Sequence, residues 1–127
     1  MKNTFILITI AITMLLAGCG TLYKAAIALT DIDDSLMKEW ATLHNDGKTS
    51  EDLDRKVMKA QATFKSSCSV AAAALRAYDA GGNKADYIKT LEAARSAIGP
   101  IIDLLTPHLS SLKLSQYKSS VANATRP

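Results

Sequence analysis

The sequence predicts an all-α protein, a small antiparallel three-helix bundle with a kinked third helix and a partly disordered C-terminal tail. Three observations predict it. Apolar residues recur every three or four positions along three stretches, the period of a helix face rather than of a strand. Gly47 and the Gly81-Gly82 pair separate those stretches, leaving linking turns short enough to make neighbouring helices antiparallel. Aromatic residues are only 6% of the chain, with six glycines, three prolines and abundant alanine, which is a helical composition.

Residues 1–18 stand apart from that pattern. Lys2 gives a positive start, Phe5 to Leu16 an apolar run, and Ala17-Gly18 small residues. This is the grammar of a secretory signal, and the run is shorter than the roughly twenty residues of a membrane span. Its ending, Leu16-Ala17-Gly18-Cys19, resembles the lipobox of bacterial lipoproteins. The resemblance implies cleavage between Gly18 and Cys19, a diacylglyceryl group on the Cys19 sulfur, and a fatty acid such as palmitate on the new amino group. Cys19 would then anchor the chain in a lipid bilayer. Gly20 in place of an aspartate after it implies the periplasmic leaflet of the outer membrane in a host of the enteric type. One acyl chain binds marginally, with K on the order of 10⁴ M⁻¹, whereas two signals anchor stably. The chain so divides into a signal peptide over 1–18, a lipidated anchor over 19–21, the bundle over 22–106 and a tail over 107–127.

The first helix is expected from about Leu22 to Asn45. Leu29, Ile32, Leu36, Trp40 and Leu43 share one face, and Gly47 suits a left-handed stop after Asn45-Asp46. The second helix starts at a Thr49 cap with Glu51 and Asp52 near the positive end of its dipole. Asp34–Lys38, Glu51–Arg55 and Asp52–Lys56 are i,i+4 pairs with the acid first. Leu53, Val57, Ala60, Phe64, Cys68, Ala71, Leu75 and Tyr78 form one straight inward stripe. Asn83 caps the third helix, whose stripe is Tyr87, Leu91, Ala94, Ile98, Ile101 and Leu105. That stripe passes through Gly99-Pro100, so a single helix kinked at Pro100 is expected rather than two helices. Ala71 to Ala74 and Ala93, Ala94 and Ala97 permit close approach of the second and third helices. From His108 the apolar signal thins. Leu109, Leu112 and Leu114 can make a short helix capping the bundle, followed by a frayed end.

Fifteen basic residues against twelve acidic ones give a net charge of +3, no electrostatic case for a nucleic-acid partner. Asp31, Asp33 and Asp34 fall within the first helix. Leu36 stands where a calcium loop of the EF-hand type needs glycine, so a solvated helix face is the expected role of the three acids. His44 and His108 are the only histidines and lack zinc-site spacing; His44 complements the helix C-terminus. Cys68 has no base in its neighbourhood and reads as a buried, inert thiol, with an intermolecular disulfide as the alternative. No catalytic residue, metal ligand or cofactor is expected.

The mature part is similar to small alanine-rich helical proteins of tailed phages and prophages, through Tyr78-Asp79-Ala80-Gly81-Gly82-Asn83-Lys84-Ala85-Asp86-Tyr87 and the Gly99 to Pro107 stretch. The first expectation is a non-enzymatic interaction or structural module, held at the membrane through Cys19 and facing an envelope protein partner. The alternative is a phage-derived exclusion or lysis accessory of the envelope. An enzyme would need acids, bases or nucleophiles in recognisable spacing.

Overall fold

The structure is a computed structural model that describes the backbone of residues 20–124 and the side chains of residues 24–124. All its regular elements are helical. They are α1 (Gly20–Asn45), α2 (Glu51–Asp79), α3 (Lys84–Leu105), a 3₁₀ turn over Thr106–His108, and α4 (Ser111–Ala124).

The helix ends follow from local hydrogen bonding. After α1 the Lys48 amide donates to the Leu43 carbonyl (2.9 Å) and the Gly47 amide to that of His44 (3.1 Å). After α2 the Gly82 amide donates to Ala77 (2.8 Å) and the Gly81 amide to Tyr78 (3.0 Å). Both are Schellman closures, and their left-handed residues are Gly47 (φ 70°) and Gly81 (φ 96°). Gly82 is needed for a different reason: a Cβ there would lie 2.6 Å from the Ala77 carbonyl oxygen.

The cap of α2 is Ser50, not the expected Thr49. Ser50 Oγ accepts from the Leu53 amide at 3.1 Å. Thr49 instead turns its hydroxyl toward His44. Asn83 caps α3 as its sequence indicates, accepting from the Ala85 amide at 2.9 Å.

α3 is the axis of the core. Its stripe of Tyr87, Leu91, Ala94, Ile98, Ile101 and Leu105 is buried along its whole length. The helix continues through Pro100, whose ring lies on the exposed side. α2 packs most closely on α3, where Ala71 and Ala94 are both buried, and contributes Val57, Phe64 and Leu75 to the same core. α1 packs on α3 and α4 and adds Leu29, Ile32 and Leu36. Between α1 and α2 the backbones stay further apart, and longer side chains bridge them. Those bridges fix the direction: Asp33 meets Gln61 while Trp40, further along α1, meets Asp54, earlier in α2. The two helices therefore run antiparallel.

The expected tail, a short helix through Leu109, Leu112 and Leu114 followed by a frayed end, is corrected in its extent. Ser111–Ala124 is a fourth helix, started by Ser110 Oγ accepting from the Lys113 amide at 3.2 Å. Leu114, Tyr117, Val121 and Ala124 recur at helical spacing and pack against the core. Thr125, Arg126 and Pro127 lie outside the described residues. No helix among the described residues is long and apolar enough to cross a membrane.

Candidate functional site

Three polar constellations stand out against this apolar frame. The first closes the corner between α1 and α2. Trp40 and His44 lie one turn apart on α1, their rings 5.6 Å between centroids. The Trp40 indole N–H donates to Asp54 Oδ1 at 2.8 Å, and His44 Nδ1 lies 3.0 Å from Asp54 Oδ2. His44 Nδ1 is also 3.4 Å from Thr49 Oγ1. Burial alone would raise the Asp54 carboxyl, but hydrogen bonds from Trp40, Thr49 and His44 outweigh it and hold it below the usual carboxylate range. Asp54 orients the imidazole as a carboxylate orients a general base. The nearby hydroxyl, however, sits on Nδ1, the nitrogen already committed to Asp54. The arrangement ties two helices together and does not assemble a nucleophile with its base.

The second constellation lies inside the protein. Asp33 on α1 is 4% exposed and Gln61 on α2 is 6% exposed. Gln61 Nε2 donates to Asp33 Oδ2 at 2.6 Å. Burial, partly offset by the Gln61 hydrogen bond, pushes the Asp33 carboxyl up to about 6. The solvated role expected of Asp31, Asp33 and Asp34 is therefore corrected for Asp33: only Asp31 is exposed, Asp34 is half-buried, and Asp33 is in the core. Cys68 is half-buried nearby, its thiol pushed up to about 12 by burial and then by Asp33. A thiol so raised carries almost no thiolate at neutral pH and is a poor nucleophile. Cys68 also borders a partly open pocket of about 30 Å³ lined by Ala26, Leu29, Ala71, Tyr87 and Leu91. That volume holds about two waters at most, and the apolar lining offers them few partners.

The third is an open polar groove of about 400 Å³ between α1 and α4, lined by Ser35, Glu39, Lys113, Gln116, Tyr117 and Ser120. Lys113 Nζ donates to Glu39 Oε1 at 2.6 Å across it. That hydrogen bond, with the Glu39 charge, raises Lys113. Burial and then Glu39 raise the half-buried Tyr117.

Of the residues singled out in the sequence, Leu16, Ala17, Gly18 and Cys19 lie outside the described residues. His44 enters the α1–α2 corner, whereas His108 is exposed in the 3₁₀ turn. No group of three or more His, Cys, Asp or Glu side chains among the described residues could hold a metal ion. Sequence reasoning missed Gln61, Asp54 and Trp40 as polar partners. The single available hint was that Gln61 lies one residue beyond Ala60 on the inward stripe of α2. No protein-family model, curated protein or solved structure matches the chain.

Proposed function

We propose that the protein is a lipid-anchored helical module of the bacterial envelope, attached through acyl chains on Cys19 and acting by contact with an envelope partner rather than by catalysis. The observation that carries this reading is the Leu16-Ala17-Gly18-Cys19 ending of the N-terminal apolar run, with the described part of α1 beginning at the next residue, Gly20. Consecutive Cα atoms are about 3.8 Å apart, so an acylated Cys19 puts the helical domain directly against the headgroups with no tether between. The non-catalytic part rests on the surroundings of Cys68 and His44. Burial holds the Cys68 thiol up to about 12, and His44, beside the Asp54 carboxylate, spends its Nδ1 on joining α1 to α2.

In this reading α1, α2 and α3 form an antiparallel three-helix bundle kinked at Pro100, with α4 laid along α1 as a brace. The exposed face available to a partner includes the polar groove between α1 and α4. A membrane-proximal domain makes its contacts at a fixed height above the bilayer. Inserting about twenty Gly/Ser residues after Thr21 supplies a flexible coil and raises that height. The insertion should leave the thermal midpoint unchanged and weaken in-cell crosslinking to a membrane-embedded partner. Crosslinking that survives the longer tether at full strength contradicts the membrane-proximal role.

A further inference from the structure

The Asp33–Gln61 contact has a hydrogen-bonding deficit that one proton removes. An ionised carboxylate has acceptors only, and a carboxamide has one acceptor and one donor group. Gln61 Nε2 satisfies Asp33 Oδ2, but among the described residues no donor reaches Asp33 Oδ1 or Gln61 Oε1, and both atoms are buried. Two buried acceptors cannot satisfy one another, and each unpaired one is costly. Exchanging the oxygen and nitrogen of the Gln61 amide does not help, because an acceptor would then face Asp33 Oδ2. A neutral carboxyl does help. It presents one donor and one acceptor, as the carboxamide does, and the two orphaned oxygens are the atoms that a second bond, Oδ1–H to Oε1, would join.

We infer that the Asp33–Gln61 pair is a proton-operated latch between α1 and α2: a proton on Asp33 closes a ring of two hydrogen bonds, and its loss loosens that contact. The groups acting on Asp33 are few. On α1 the Asp34 charge raises it, and on α2 Lys65 lowers it. The Cys68 thiol, also on α2, feels the Asp33 charge. The titratable side chains of α3 (Lys84, Asp86, Tyr87, Lys89, Glu92, Arg95 and Asp103) and of α4 (Lys113, Tyr117 and Lys118) are not among the groups that shift Asp33. The latch sits where the α1 and α2 backbones are not in close contact, so side-chain bridges set how firmly α1 is held to α2. It is independent of whether Cys19 carries a lipid.

The direction of the effect is fixed by linkage. Asp33 binds its proton more tightly in the folded chain, at about 6, than its ordinary 3.8. The stabilisation is therefore fully present below 3.8 and is lost as pH rises through about 6. The test compares the thermal midpoint of the full chain with that of Asp33→Asn from pH 5 to pH 8. Asparagine keeps one donor and one acceptor toward Gln61 and does not titrate. Every other ionisable group is common to both proteins. The midpoint of the wild type should fall by roughly 5–10 °C relative to the variant across that interval. Should the variant not fold, the Asp33 carboxyl carbon of the wild type, followed by NMR, should titrate near 6. Parallel pH profiles for the two proteins, or an Asp33 titration near 3.8, would overturn the latch.

Discussion

Phe64 is 2% exposed midway along α2 and belongs to the same apolar cluster as residues of α1 and α3. Truncating such a side chain removes its transfer energy and leaves a cavity. Phe64→Ala should cost about 3–5 kcal/mol, a large share of the roughly 5–15 kcal/mol that holds a domain together. Thermal unfolding followed by circular dichroism should register a drop of at least ~10 °C; a midpoint unchanged within a degree would show that Phe64 does not anchor the core. Phe64 was legible in the sequence because a large apolar residue in the middle of a helical stripe has one consistent role. Asp33 was not, since three acids within four residues read as a solvated face. Its burial depends on Gln61, twenty-eight residues away. Asp54 was equally hidden. Its partners Trp40 and His44 approach it only because the Asp46–Ser50 turn folds α2 back onto α1.

At the scale of elements, the helices with a dense apolar stripe could be read with their boundaries. The six stripe positions of α3 are all buried, and the stripe rightly predicted one helix through Pro100. Of α4 only a short helix through Leu109, Leu112 and Leu114 was legible, because its inward residues Leu114, Tyr117, Val121 and Ala124 are diluted by serines, lysine and asparagine. Its place is set by what α1 offers: the Lys113–Glu39 bridge and the packing of Tyr117 and Val121 against the core. Cap identity was the other miss. Thr49 and Ser50 are both good caps, and local sequence does not choose between neighbours. His44 and Asp54 draw the Thr49 hydroxyl into the corner, leaving Ser50 to receive the Leu53 amide. Ser50→Ala should therefore lower stability by about 0.5–2 kcal/mol, read as a reduced urea midpoint with an unchanged slope. An unaffected midpoint, with the loss appearing in Thr49→Ala instead, would return the cap to Thr49.

At the scale of the molecule, the described helices make one compact support built on the apolar stripe of α3. The all-α class was legible because period, composition and turn glycines agreed. The proposed role rests on four residues, Leu16 to Cys19, whose meaning is chemical and not architectural. The central claim is that Cys19 carries lipid, and growth of expressing cells on labelled palmitate tests it most directly. Label should enter the wild-type protein and be absent from Cys19→Ala, which should also remain at the unprocessed mass. Equal labelling of the two proteins, or no labelling of either, would contradict lipid anchoring through Cys19.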